Sequence, residues 1–315
     1  MRWLLIVALA VLLVLPYFVT DSYTRHLFIL AFIYAVLASN WDISLGYAGL
    51  FNFGHLAFFA AGVYTTAIAA KTFGIDPWLA IPMGGASAAI AALIVAAPVA
   101  RLKGIYVVLV TFAFSQVLLQ LILSQSQITC GAEGMVRIPA MQIGVYQFIR
   151  EFKFGYYYVA LGLLAISTLY LLWLARSPFG KSLLALRDNE DYARARGISI
   201  TRARVLALVA SAIFPGIAGG FFAIYLRVAS PEVLGFGTLS LVLSMVLIGG
   251  TATIIGPILA AFAIFFATEA MAGIRGMEEA RFIVVAVAMI LVLRFVPGGL
   301  ARIIRLFQNG NTPVR

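Results

Sequence analysis

Long apolar runs separated by short polar breaks recur from one end of the chain to the other. A membrane-spanning helix needs about 20 mainly apolar residues. Runs of that kind fall at 3–19, 26–41, 55–71, 79–99, 104–124, 156–175, 204–226, 237–250, 255–273 and 281–297. The pattern predicts an all-α, polytopic membrane protein with about ten transmembrane helices. The first run follows Arg2 and resembles a signal peptide. It continues to Val19 with no small-residue cleavage site behind it, so it reads as a span.

The runs are interrupted in matching ways. In the first half, a glycine-rich stretch from Ser44 to His55 separates two apolar runs; in the second half, Gly249 to Pro257 does the same. Paired interruptions of this kind suggest two halves related by an internal repeat around a central pathway. Glycine also serves close helix packing in membranes, so each glycine alone supports either reading.

Two polar stretches are long enough to hold structure. The first, 125–155, contains Gly131 and Gly134 and predicts a short interfacial helix around Met141–Phe152. The second, 176–204, is the most polar part of the chain. Ser177, Pro178, Phe179 and Gly180 read as a turn ending a span. Leu183, Leu184 and Leu186 then alternate with charge, and Gly197 marks a helix end. This predicts a short amphipathic segment at the membrane surface whose leucines suit a groove on a partner protein.

Charge sets the orientation. Only 11% of residues are charged, against about 25% in soluble domains, so lipid replaces water as the main solvent. The net charge of +10 therefore points to membrane orientation rather than to nucleic acid. Arg101, Lys103, the 176–204 stretch and the tail arginines Arg302, Arg305 and Arg315 fall on one side if the termini are cytoplasmic. Asp21, Asp76, Glu133, Glu151, Glu232, Glu278 and Glu279 fall on the other.

Candidate chemistry is sparse. One cysteine, Cys130, and two separated histidines, His26 and His55, exclude an intrachain disulfide and give no metal-ligand spacing. No cofactor is expected. A relaxed phosphate-loop match from Ala175 to Ser182 lacks the strand–helix setting such a loop needs, so nucleotide binding by this chain is set aside. Polar residues at membrane depth are functional candidates. Asn40, Asp42, Asn52, His55 and Glu269 qualify. Asn52 and His55 either line a pathway or bond helices together, Asp42 fits the inner interface, and Glu269 fits a structural place at an outer helix end.

The run SPFGKSLLALRDNE from Ser177 to Glu190 resembles the coupling loop of branched-chain amino acid ABC importer permeases. LGYAGLFNFGHLAFFAAGVY from Leu45 to Tyr64, RLKGIY from Arg101 to Tyr106 with Thr111 to Phe114, Gly249 to Thr251, and FVPGGL from Phe295 to Leu300 are similar to the LivM-type side of that family. The resemblance covers nearly the whole chain. It implies a single importer transmembrane domain over 1–315, with 176–204 as its cytoplasmic coupling loop, in a bacterial inner membrane.

The implied partners are a second, LivH-type permease, two cytoplasmic ATPase subunits, an extracytoplasmic substrate-binding protein and membrane lipid. The implied ATPase-coupling residues are Arg187, Asp188, Glu190, Asp191 and Gly197. Asp191 and Gly197 keep the family's acid-to-glycine spacing, although Tyr192 replaces an alanine. The outer loop departs from the family's Thr-Gly-Gly-x-x-Gly at Cys130. Gly131 and Gly134 join Asn52, Gly54 and His55 as candidate pathway residues.

The function expected is ATP-driven import of branched-chain amino acids or a related small polar solute, with hydrolysis by separate subunits and no covalent chemistry in this chain. The rival is an ion-gradient-driven secondary transporter, which calls for a cluster of intramembrane carboxylates. The only deep carboxylates expected are Asp42 and Glu269. A membrane-embedded enzyme would need a nucleophile–base pair or a metal motif, and none is visible in the sequence.

Overall fold

The computed structural model describes residues 2–19, 21–143, 146–148 and 154–272, together with single positions between 284 and 294. The last predicted span, Glu151, Glu278, Glu279, the tail arginines and the Phe295–Leu300 motif lie outside the described residues or reach beyond them.

The long helices follow the apolar runs closely. They are α1 (Arg2–Phe18), α2 (Ser22–Asp42), α3 (His55–Lys71), α4 (Pro77–Val99) and α5 (Ile105–Ser124) in the first half. A short α6 (Ser126–Thr129) follows. The rest comprises α7 (Phe154–Arg176), α8 (Pro178–Asp188), α9 (Glu190–Ala195), α10 (Ile200–Leu226), α11 (Phe236–Gly249) and α12 (Ile255–Ala272). Among the described residues, five helices are long and apolar enough to cross a membrane, with α11 and α12 as shorter apolar helices. The chain is an all-α, polytopic protein.

Helix starts are written in capping chemistry. The Asp21 carboxylate accepts from the backbone N–H groups of Tyr23 and Thr24 and opens α2. Asp76 accepts from Trp78 N–H ahead of Pro77, and Ser177 accepts from Gly180 N–H ahead of Pro178. Each pairing satisfies N–H groups that a helix leaves open, with proline where its missing N–H costs nothing.

Helix α2 lies at the centre, and all but one of the residues from Ala31 to Asp42 are buried. Beside it, α3, α4 and α10 meet backbone to backbone. A methyl group at Gly62 would strike the Gly216 carbonyl, one at Gly84 would meet the Thr66 hydroxyl and the Gly216 oxygen, and one at Gly219 would strike the Phe59 carbonyl. Thr66 Oγ1 adds a hydrogen bond to the Ala80 carbonyl at 3.1 Å. Small residues at such seams let dispersion and short polar contacts replace the hydrophobic drive that lipid does not supply.

Two expectations are corrected. The described residues of Met141–Phe152 form no helix. The described residues there pair as strands, Gln142 with Gln147 and Ile143 with Tyr146 (β2 and β3). The sequence between is rich in β-branched and aromatic residues around Gly144, a composition that penalises helix. Strand β1 (Met135–Val136) pairs instead with β4 (Val228–Ala229), joining the 125–155 stretch to the end of α10.

The polar stretch after α7 forms two helices, α8 and α9, broken at Asn189. That residue's extended backbone and side-chain bond to Tyr192 N–H start a new helix. Leu183 and Leu186 are buried against the chain itself, so they are not free to enter a partner's groove.

Candidate functional site: a junction of two chain breaks and helices α8 and α9

The two interrupted stretches meet in space. Helix α2 runs on into a π-helical turn at Ile43–Tyr47, followed by irregular backbone to Gly54. The break between α11 and α12 runs 250–254, where Gly250, Ala252 and Ile254 all have positive φ (97°, 59° and 57°). That conformation turns successive N–H groups toward one point, a concavity that binds anions.

Asp42 fills it. Its fully buried carboxylate accepts from Ala252 N–H at 2.7 Å, Thr253 N–H at 3.0 Å and Ile254 N–H at 3.1 Å. Charge-assisted bonds to backbone N–H groups are about twice as strong as neutral ones. Gly46 is forced by the same contact, because a side chain there would strike both the Asp42 carboxylate and the Ala252 nitrogen.

Helices α8 and α9 are tied to this junction at two points. Arg187, at the end of α8, donates from Nη1 to the Gly46 carbonyl at 2.8 Å and pairs with Asp188 at 3.0 Å. Its side chain lies against Gly49, whose φ of +67° is open to glycine. Glu190, at the start of α9, pairs with Lys103 at 2.6 Å and with Arg204 of α10. Arg204 also donates to the Leu102 carbonyl at 2.8 Å. The α4–α5 turn is thereby fastened to α9 and α10.

Burial alone would push the Glu190 carboxyl up. The hydrogen bond from Lys103 and the charges of Arg204 and Lys103 hold it below its ordinary value.

Between these ties lies a cavity of about 520 Å³, lined among others by Gly46, Gly49, Phe51, Lys103, Arg187 and Thr251. Asp188 and Asp191 point outward, their side chains 68% and 89% exposed. Gly197 ends its turn at φ +81° with open space around it.

The pathway candidates fall in two places. Asn52, Gly54 and His55 belong to the first break. Asn52 and His55 are fully buried; Asn52 Oδ1 accepts from Gly54 N–H at 3.0 Å, and His55 stacks on Trp41 at 5.1 Å. Gly54 rests against the Thr111 carbonyl. Gly131 and Gly134 lie far from them in the fold, in the turn that leads to β1, both at positive φ. Glu269 accepts a hydrogen bond from Tyr23 at 2.7 Å, joining α12 to the start of α2.

Asp42 is the residue that sequence reasoning underrated. Its partners lie 210 to 212 positions away. The signal available in the sequence was the coincidence of an acid just before one glycine-rich break and a Gly-Gly-Thr in the other.

Comparison with known proteins gives consistent matches. The family described as branched-chain amino acid transport system / permease component matches residues 23–293. The high-affinity branched-chain amino acid transport system permease protein LivM of Escherichia coli K12 is 31% identical over 94% of this chain and 74% of its own length. Its counterpart from Salmonella typhimurium LT2 is 30% identical over the same shares. No solved structure matches the chain.

Proposed function

The chain belongs to the branched-chain amino acid permease family, and from that membership we propose how it works within an importer. It is a multi-pass membrane permease subunit of an ATP-binding-cassette importer. Its solute is a branched-chain amino acid, by analogy with the transport system named for its relatives.

A single importer domain crosses the inner membrane about ten times, with both termini and the α8–α9 region in the cytoplasm. It pairs with a LivH-type permease, two ATPase subunits that carry out all hydrolysis, and an extracytoplasmic binding protein.

The observation that carries the coupling mechanism is the double tether. Closure of the ATPase pair displaces α8 and α9. Arg187 passes that displacement to the π turn and, through Asp42, to the break between α11 and α12. Glu190 passes it to the start of α5 through Lys103. The outward-facing Asp188 and Asp191 are the contacts offered to the ATPase, Gly197 lets the chain turn back into α10, and Arg187 and Glu190 transmit from the inner side. Asn52, Gly54 and His55 brace the first break beside the pathway, while Gly131 and Gly134 shape its outer mouth.

The secondary-transporter alternative is not favoured: Asp42 is engaged by three backbone N–H groups and offers no free carboxylate to a coupling ion.

The test separates docking from folding. Reversing Asp188 and Asp191 to arginine should reduce co-purification of the ATPase subunits and ATP-driven uptake, with the melting temperature of the permease unchanged. Undiminished assembly and uptake would sink the docking assignment.

A further inference from the structure

Helix α5 has a face that lipid does not suit. It is the least buried of the five long helices, and its exposed face carries Gln116 and Gln120 one turn apart. Neither amide has a hydrogen-bond partner among the described residues. Gln116 sits roughly 16 Å along the axis from Ile105 and roughly 12 Å from Ser124, near the middle of the helix. A bare amide at that depth in hydrocarbon is costly.

A second feature lies beside the same helix. Irregular backbone from both halves of the chain comes in beside the centre of α5. Phe53 N–H of the first break donates to Thr111 Oγ1 at 3.0 Å. On the other side, the turn Pro231–Leu234 and the start of α11 reach the level of Gln116, where a groove is lined by Leu56, Phe112, Gln116, Leu234 and Phe236 among others. Helix α11 has 14 residues, roughly 21 Å, and is too short to span the membrane alone. Non-helical backbone at membrane depth is tolerated where it is buried in protein or lines a water-filled route.

We propose that this face of α5, from the groove at Gln116 past Phe51 to the cavity beside Lys103, is the solute route on this subunit, and that the groove takes the apolar side chain of an amino acid while Gln116 and Gln120 accompany its charged backbone groups. The groove measures only about 40 Å³ within this chain, so it is one wall, and the opposite wall comes from the second permease. Phe51, 52% exposed, lines the cavity end of this route. The assignment rests on the importer reading for its direction of transport, and on the geometry above for its place.

The experiment uses the assembled transporter in vesicles, with Cys130→Gly as background. Gln116→Cys and Gln120→Cys are compared with Leu169→Cys and Trp173→Cys, exposed positions on α7. A charged, membrane-impermeant thiol reagent reacts only with wetted thiolate. In at least one nucleotide state the α5 pair should react roughly tenfold or more faster than the α7 pair, and leucine presented with the binding protein should slow that reaction.

Silence of both α5 positions in every nucleotide state, as in a dry subunit contact, would overturn the proposal, as would reaction only with a lipid-soluble maleimide. Gln116→Leu combined with Gln120→Leu should lower uptake roughly tenfold without loss of partner co-purification; unchanged uptake would also overturn it. Failure of ATP-driven uptake in the background protein would count against the importer reading instead, because reagent access is read without it.

Discussion

Two residues show how local energetics and long-range function divide. Cys130 is held at φ 61°, a conformation that costs a non-glycine residue about 1–2 kcal/mol. Cys130→Gly should therefore raise stability by about 1 kcal/mol, read as a higher melting temperature of the detergent-purified protein, with uptake unchanged.

Asp42 is the opposite case, a strongly satisfied group. Asp42→Asn keeps the size but removes the charge and places an N–H₂ among donors. The change should cost about 2–3 kcal/mol and uncouple ATP hydrolysis from uptake, measured together in the same vesicles. The identity of Asp42 was plain in the sequence, but its role was not. The carboxylate acts on backbone N–H groups whose direction depends on positive φ at Ala252 and Ile254, residues that carry no sign of that conformation.

At the scale of elements, helices were the legible part. Asp21, Asp76 and Ser177 announce their helices through caps, and the run 55–71 is the helix His55–Lys71 itself. What the apolar pattern could not supply was the partition of polar loops. Leu183 and Leu186 alternate with charge as an exposed docking face would, yet they are buried against the chain.

The ion cluster around Glu190 gives a pH signature. Its carboxyl is depressed, so protonation is disfavoured in the folded protein. The stabilisation is fully present above the ordinary glutamate value and is lost as pH falls through the lower folded value. Melting temperature should stay level between about pH 8 and 5 and drop below that, and Glu190→Gln should remove the cluster's share of the drop. At neutral pH, Glu190→Ala should cost about 2–3 kcal/mol, because Arg204 is left buried without its carboxylate.

For the whole molecule, unsatisfied surface is as informative as packed core. The exposed amides of α5 and the short α11 mean that this chain alone presents lipid with groups it cannot solvate. Expression without a second permease should yield aggregated or rapidly degraded protein, and co-expression should restore a monodisperse peak in gel filtration. The family was legible from the motifs, and the matches across residues 23–293 agree. The route itself was less so. Asn52 and His55 drew attention as polar residues beside glycines, whereas Gln116 and Gln120 sit in an unbroken apolar run, and only the helical face they share sets them apart.

The seam between α3, α4 and α10 sets a boundary on how such a permease can move. Where Gly62 faces the Gly216 carbonyl with no room for a methyl group, the two helices have no side-chain layer to shear. Close-packed interfaces shift between discrete arrangements rather than deforming smoothly. These three helices therefore behave as one stator. A stroke delivered through Arg187 must appear as displacement of the π turn and the α11–α12 break against it, and one delivered through Glu190 reaches α5 only by parting the pair with Arg204 of α10. A bulky wedge, Gly216→Leu, would loosen the stator, so force would still arrive while nothing held firm against it.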